Sequence, residues 1–199
     1  YNETKDIGIK PTPTIGGVGL IKDYKKMITM DFKEIDNIIL VIGKTEGHID
    51  QSLLSRIILN EKNGPPPEVN LFNEKNNGLT LLNLIEKNFI KSAHDVSLGG
   101  IITAISKMCI KGNKGIQIKK PKFLINEIEY FFAEDQGRYL IEINPKDLKE
   151  VSKILDKNSV HYDEIGKIID KEMIIDQKTK LTIDELKSYN TNWLKSYMV

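Results

Sequence analysis

The feature that most limits the possible folds of this chain is a continuous apolar run at residues 37–42 (NIILVI). The run is rich in β-branched side chains, and Gly43 ends it. An uninterrupted apolar stretch of this length is typical of a strand that is buried on both faces. The run therefore predicts a buried strand, and the rest of the chain must supply the sheet around it.

The other segments alternate between helical and extended patterns. Helices are predicted where apolar residues recur at helical spacing: residues 50–59, 70–91, 101–109, 145–157 and 183–198, with a short helix or turn at 127–132. Strands are predicted at residues 116–118, 138–143 and 161–168, and in a hairpin of 173–175 with 180–183. Residues 18–21 are predicted to begin a further strand. Because two late strands are adjacent, we expect an α/β or α+β sheet covered by helices, not an all-parallel sheet.

Composition excludes several classes of protein. The 199 residues suffice for one domain or slightly more. A net charge of +1 argues against a general surface for polyanions, so nucleic acid is not an expected partner. No stretch approaches ~18 uninterrupted apolar residues, so no segment is expected to cross a membrane. The first residue is Tyr1, which predicts that the chain is processed or is a piece of a longer protein.

The cysteine content bears on the compartment. Cys109 is the one cysteine, and it lies in an apolar helical stretch beside Met108 and Ile110. We expect it to act as a small buried hydrophobic residue. A chain without cysteine pairs gives no sign of secretion, so the cytosol is the default compartment.

The first segment that could carry chemistry is residues 92–100 (SAHDVSLGG). His94, Asp95 and Ser97 lie within four residues, just before a predicted helix. Gly99 and Gly100 would let the backbone approach a ligand, and free N–H groups at a helix start favour an anion such as phosphate. In the alternative interpretation, Asp95 or Ser97 caps the helix and His94 makes a satisfied buried hydrogen bond. A catalytic triad is a poor interpretation of residues so close in sequence.

The second segment is residues 133–138 (AEDQGR), just before a predicted strand. Glu134, Asp135, Gln136 and Arg138 could together bind Mg²⁺, a ribose or an amidine-like group. The alternative is a polar turn in which Arg138 pairs with Glu134 or Asp135.

The third segment is residues 11–19 (PTPTIGGVG). It lacks the Gly-Lys-Ser/Thr ending of a P-loop, and no strand precedes it as in a dinucleotide fingerprint. Its prolines favour a stiff hinge that follows an extended arm at residues 1–14.

Four further side chains are predicted to be structural. His48 and His161 have no partners at metal-ligand spacing. Trp193 and Tyr197 lie on the last predicted helix and are expected to anchor it to the core.

These segments occur in the same order in one known family. Together they resemble phosphoribosylformylglycinamidine synthase, the synthetase of purine biosynthesis. The matching segments are residues 1–4 (YNET) with 11–21, residues 92–100, residues 132–140, residues 165–168 (IGKI) and the Trp193–Leu194 region. The first of these is specific to that enzyme, whereas the next two are shared with a wider superfamily. Leu98 is a departure, because the family usually has Asp or Glu there, and this weakens a metal or ligand role for that turn.

The resemblance implies a fold and a domain organisation. The family enzyme has two tandem halves, each with an ATP-handling domain followed by an α/β C-terminal domain. This chain resembles the last of the four, a three-layer α/β/α domain with a mixed sheet related to the C-terminal domain of aminoimidazole ribonucleotide (AIR) synthase. Residues 1–14 would be the tail of the preceding ATP-handling domain with a linker, and residues 15–199 the domain itself.

The resemblance also implies a function. The whole enzyme is an ATP-dependent C–N ligase that converts formylglycinamide ribonucleotide and glutamine-derived ammonia to formylglycinamidine ribonucleotide. ATP and Mg²⁺ would bind mostly outside this chain, which is expected to be inactive alone and to hold neither catalytic residues nor metal ligands. Implied partners are the preceding domains of the same polypeptide, a glutaminase subunit and a small accessory subunit.

Two other functions stay open. The domain could be a non-catalytic scaffold that holds a nucleotide, or it could belong to another synthetase of the superfamily, such as AIR synthetase or selenophosphate synthetase. The candidate ligand-binding residues are His94, Asp95, Ser97, Gly99, Gly100, Glu134, Asp135, Gln136 and Arg138. Replacing Arg138 with Ala should separate a binding role from an architectural one.

Overall fold

A seven-stranded sheet forms the centre of the fold in the computed structural model, which describes residues 3–5, 7–8, 13–119 and 125–198. Part of the predicted arm and hinge, including Pro11 and Thr12, lies outside the described residues. In the described chain the strands are β1 (Glu3–Thr4), β2 (Ile7–Gly8), β3 (Ile38–Ile42), β4 (Ile90–Asp95), β5 (Gly115–Ile118), β6 (Tyr139–Ile143), β7 (Tyr162–Ile169), β8 (Glu172–Ile175) and β9 (Thr179–Thr182). The α-helices are α1 (Leu71–Glu86), α2 (Gly100–Gly112), α3 (Glu127–Phe132), α4 (Leu148–Lys157) and α5 (Ile183–Tyr197).

The strand order in the sheet is β4-β6-β3-β7-β5-β8-β9, and β1 pairs with β2 separately. Neighbouring strands are antiparallel except for β5 and β8, which run parallel. The predicted mixed sheet is therefore confirmed, as is the late hairpin, which is formed by β8 and β9.

The apolar run that opened the sequence analysis is the strand β3, and all five of its residues are buried. Ile39 and Val41 join a cluster that contains apolar residues of α2, α3 and α5. Leu40 and Ile42 join a second cluster that contains residues of α1 and α4. Because alternate side chains of a strand point to opposite faces, β3 has helices on both sides. The three-layer α/β/α arrangement is confirmed.

The predicted helix at residues 70–91 ends too late. Helix α1 stops at Glu86, and Asn88 then adopts a positive φ of 62°, a conformation that Asn tolerates and that commonly ends a helix. The chain reverses into β4, which pairs with β6 in a register that sets Ile90 opposite Ile143. Residues 92–95 are therefore strand, where the sequence indicated only a polar segment.

The helix predicted at residues 50–59 is found only in part, and the strand predicted to begin at residues 18–21 is absent from the structure described for these residues. Residues 50–59 form one π-helical turn, Leu54–Ile58, in which Ile57 and Ile58 are exposed while Ser55 is buried. Residues 18–21 form no strand, and Val18 and Leu20 are almost fully exposed. In the first segment Leu53 and Leu54 are half-buried, whereas the apolar side chains of the second segment are exposed.

The end of the chain also differs from expectation. Ile183 and Leu186 are buried and fix the start of α5, whereas Trp193 and Tyr197 are 61% and 78% exposed. The prediction that these two aromatic residues anchor the helix to the core is wrong. None of the helices in the described ranges is long and apolar enough to cross a membrane.

The prediction for Cys109 is confirmed, because its side chain is fully buried in the cluster around α2. Burial raises the pKa of the Cys109 thiol to about 12. We therefore expect iodoacetamide at pH 8 to leave the native protein unmodified and to alkylate it rapidly in urea, since the thiolate is the reactive form. Mass spectrometry of both samples checks this, and rapid labelling of the native chain would contradict it.

Candidate functional site

The strand pairing brings the two main candidate segments together. Strands β4 and β6 are antiparallel neighbours, with His94 opposite Leu140 and Asp95 opposite Tyr139. The residues that follow β4 therefore lie beside those that precede β6. The amide of Val96 donates to the carbonyl oxygen of Arg138 at 2.9 Å, which continues the pairing beyond the strands. Residues 94–100 and 134–138 thus meet at one end of the sheet.

Glu134 joins the two segments through its carboxylate. Its Oε1 accepts hydrogen bonds from the amide of Gly99 and from the amide of Leu53, both at 2.8 Å. Gly99 is the N-cap residue of α2, and neither Asp95 nor Ser97 caps that helix. The cap predicted from neighbouring residues is therefore wrong. The Gly99 amide expected to be free for a ligand anion is already bound to the chain's own carboxylate.

Asp135 occupies a second set of amides. Its Oδ2 accepts from the amides of Glu46 and Gly47 at 3.0 and 3.1 Å, and its Oδ1 accepts from the amide of His48 at 3.2 Å. Successive backbone N–H groups of this kind form a concave site that favours an anion. Here the anion is an internal one, since Asp135 is buried.

Arg138 is buried beneath this turn, with an exposed fraction of 1%. Its guanidinium donates to the carbonyl oxygens of Ala133 and Asp135 at 2.6 and 3.1 Å and to the Thr45 hydroxyl at 3.1 Å. The Asp135 carboxylate lies 3.8 Å from Nη1. The predicted pairing with Asp135 is confirmed. Because Arg138→Ala would leave these acceptors unpaired in the interior, that variant tests folding and cannot separate a binding role from an architectural one.

Gly100 is required by close packing of the backbone. Its φ is +69°, and a Cβ atom there would lie 2.6 Å from the carbonyl oxygen of Phe131 and 2.7 Å from that of Ala133. The close approach expected from the Gly99-Gly100 pair exists, but its partner is the backbone at the end of α3 and not a ligand.

His94 is satisfied at one ring nitrogen. Its Nδ1 lies 3.0 Å from Asp95 Oδ1, while the buried Nε2 has no hydrogen-bond partner among the described residues. The prediction of a satisfied buried histidine thus holds for one nitrogen only. Ser97 and Leu98 are exposed beside it.

A cleft of about 580 Å³ opens next to the Glu134–Arg138 turn. Of the nine candidate residues, only Asp135 and Gln136 line it, and Gln136 is the exposed one of the two. Sequence reasoning missed the other polar lining residues: Lys44, Glu46, His48, Glu68, Asn70, Asn73, Glu74 and Asn77. The polar start of α1 and the lysine that follows Gly43 were the available signals.

The charges of the cleft are unfavourable for a phosphate. Among the lining residues that the structure describes, four carry carboxylates (Glu46, Glu68, Glu74 and Asp135) and one, Lys44, is a lysine. Lys44 Nζ is already 2.7 Å from Glu46. Since a nucleotide brings further negative charge, these residues do not fit a nucleotide phosphate. In the described ranges no group of three or more His, Cys, Asp or Glu side chains could hold a metal ion.

The two remaining histidines make local contacts. His48 Nε2 lies 3.0 Å from the carbonyl oxygen of Pro65. His161 Nε2 lies 3.5 Å from Asp163 Oδ1, and the Tyr130 hydroxyl donates to the other carboxylate oxygen of Asp163 at 3.3 Å. The contact of His161 agrees with the structural role predicted for it, whereas His48 also lines the cleft.

Comparison with known families assigns the chain to a family of domains. The family model described as "AIR synthase related protein, C-terminal domain" matches residues 34–177. The chain belongs to this family of AIR synthase related C-terminal domains. Phosphoribosylformylglycinamidine synthase subunit PurL of Pelagibacter ubique is 70% identical over 198 residues, which is 100% of this chain and 27% of that protein. The chain thus spans about a quarter of the length of the curated relatives it matches.

Solved structures resemble the chain in fold. Thermotoga maritima PurL complexed with FGAR has a TM-score of 0.69 at 18% identity, covering 81% of this chain and 29% of that one. Thermotoga maritima PurL complexed with ATP has a TM-score of 0.62 at 17% identity, covering 81% and 27%. At such low identity the likeness concerns the fold alone.

The Glu134 bridge gives a prediction for stability. Glu134→Ala should lower the free energy of unfolding by roughly 2–4 kcal/mol, because it leaves the Gly99 and Leu53 amides without their acceptor. Glu134→Gln keeps an acceptor oxygen and should lose much less. Urea unfolding of both variants measures the difference, and equal losses would show that the hydrogen bonds are not the cause.

The His161–Asp163 contact gives a prediction for pH dependence. The hydrogen bond to Asp163 raises the pKa of His161 above its ordinary value of 6.5, although burial and the nearby Lys44 act to lower it. A raised pKa stabilises the folded state fully below the unfolded pKa, and this stabilisation is lost as pH rises through the folded pKa. The stability advantage over His161→Asn should therefore be largest below pH ~6 and shrink at higher pH. A constant advantage from pH 5 to 9 in urea titrations would contradict this.

Proposed function

We propose that this chain is a domain of a phosphoribosylformylglycinamidine synthase of purine biosynthesis. The observation that carries the proposal is the 70% identity to the Pelagibacter ubique subunit PurL, which extends over 198 residues and 100% of the chain. The aligned region includes the segments at residues 92–100 and 132–140. Identity at this level over the whole chain favours the same enzyme over AIR synthetase or selenophosphate synthetase.

The reaction proposed for the whole polypeptide forms an amidine. ATP phosphorylates the amide oxygen of formylglycinamide ribonucleotide, and ammonia derived from glutamine then displaces the phosphate. The products are formylglycinamidine ribonucleotide, ADP and phosphate. Mg²⁺ bound with ATP would stabilise the charge that develops on the transferring phosphoryl group. A glutaminase subunit and a small accessory subunit are proposed as partners that supply the ammonia.

The role proposed for this chain is to support the catalytic centre and not to carry out the chemistry. Glu134, Asp135 and Arg138 make internal hydrogen bonds that fix the turn before β6. The Gly99 amide and the three amides at residues 46–48 are bound to these carboxylates. ATP and Mg²⁺ are therefore proposed to bind mainly to domains outside the chain. Among the candidate residues of the turn, Gln136 remains available at the cleft to contact a neutral part of a ligand.

A second candidate function is a wholly architectural domain. The acidic lining of the cleft favours this candidate over a bound structural nucleotide, because phosphate groups would meet the carboxylates of Glu46, Glu68 and Glu74 there. In this case neither Gln136 nor the rest of the cleft would contact a ligand.

A chimaera tests the proposed function. This chain replaces the 198 aligned residues of the Pelagibacter ubique relative, and ATP-dependent formation of formylglycinamidine ribonucleotide is measured. We expect activity within about tenfold of the parent, a difference of ~1.4 kcal/mol in barrier. A folded chimaera without this activity would contradict the proposal. Gln136→Ala in the same chimaera should raise KM if Gln136 contacts substrate. If the cleft is architectural, the variant should leave both KM and kcat unchanged.

A further inference from the structure

The apolar face of the last helix, α5, extends beyond the residues that pack against the rest of the domain. Ile183 and Leu186, in its first turns, are buried in the cluster that includes α2. At 100° per residue, Trp193, Leu194 and Tyr197 fall on the same face of the helix. These three side chains are 61%, 50% and 78% exposed. The face that packs α5 onto the domain thus continues past the point where the domain ends.

The exposed half of this face has the composition of an interaction surface. Single exposed apolar residues are ordinary, but contiguous groups mark contact sites, and Trp and Tyr contribute most strongly to such contacts. The Trp193 and Tyr197 rings lie side by side, with their centroids 6.3 Å apart. They form one continuous aromatic surface on the helix.

The comparisons separate this helix from the shared domain. The family model ends at residue 177, before α5 begins. The PurL relative, in contrast, matches over 100% of the chain, so α5 has a counterpart there. The chain covers only 27% of that relative, and most of the longer protein therefore lies outside this chain. The helix therefore lies outside the segment that the family model matches and inside the segment shared with the PurL relative.

We propose that the exposed face of α5, formed by Trp193, Leu194 and Tyr197, docks against another part of the same longer polypeptide. This inference rests on the proposed function in one respect, namely that the chain is a domain of such a polypeptide. Because the face is continuous with the one that contacts α2, the docked part must lie along the α2 and α5 side of the sheet. Helices α1 and α4 cover the opposite side.

A first experiment examines the isolated chain. Trp193 is its only tryptophan, so fluorescence reports this surface alone. We expect acrylamide to quench the emission efficiently, to the same extent at every protein concentration. Quenching that weakens as concentration rises would show that a second copy covers the face, and this would overturn the proposed occupant.

A second experiment compares hydrogen exchange of residues 189–198 in the isolated chain and in the chimaera with the Pelagibacter ubique relative. Docking should slow exchange of these amides by roughly tenfold or more in the chimaera. Equal exchange rates in the two proteins would overturn the proposal.

A pair of double variants in the chimaera assigns the protection to the aromatic face. Trp193→Ser with Tyr197→Ser should abolish the added protection. Phe72→Ser with Leu79→Ser, which removes comparably exposed apolar residues from α1, should leave it intact. Loss in both would indicate general destabilisation and would contradict a role for this face. Since exchange is read without substrate, an inactive chimaera that still protects residues 189–198 would contradict the proposed function and leave the docking inference supported.

Discussion

The turn between α3 and β6 depends on carboxylates that bind backbone amides of the same chain. Glu134 bridges the start of α2 and the segment at Leu53, while Asp135 binds three successive amides at residues 46–48. Arg138 holds the turn from below through its buried guanidinium. These contacts connect the loop after β3, the start of α2 and the start of β6. Together with the pairing of β4 and β6, they set the positions of the candidate residues at this end of the sheet.

The same contacts decide what the site can bind. A motif with two acids, an amide and an arginine looks in sequence like a ligand-binding turn. In the fold, the two carboxylates accept hydrogen bonds from backbone amides, and the Arg138 guanidinium lies beside Asp135. Gln136 and an acidic cleft remain at the surface. Among the described residues, this arrangement favours contact with a neutral group over contact with a phosphate.

Sequence predicted the parts of the fold that depend on local pattern. The run at residues 37–42 indicated a strand buried on both sides, and its alternating side chains do enter two separate clusters. The strand β4 was missed because Lys91, His94 and Asp95 are polar, and its structure comes from pairing with β6. Trp193 and Tyr197 were misplaced because an apolar face has the same spacing whether its partner lies inside the chain or beyond it. The amides bound by Glu134 and Asp135 were not predictable, since their positions are set by contacts distant in sequence.

The place of β3 in the sheet has a consequence for synthesis of the chain on the ribosome. Both hydrogen-bonded neighbours of β3, the strands β6 and β7, lie far towards the C-terminus, at Tyr139–Ile143 and Tyr162–Ile169. The most apolar segment of the domain therefore leaves the ribosome long before either partner strand exists. Pairing across such sequence separations is slow, and an unpaired apolar strand is prone to association. The nascent domain thus passes through an interval in which its future centre is its most aggregation-prone segment.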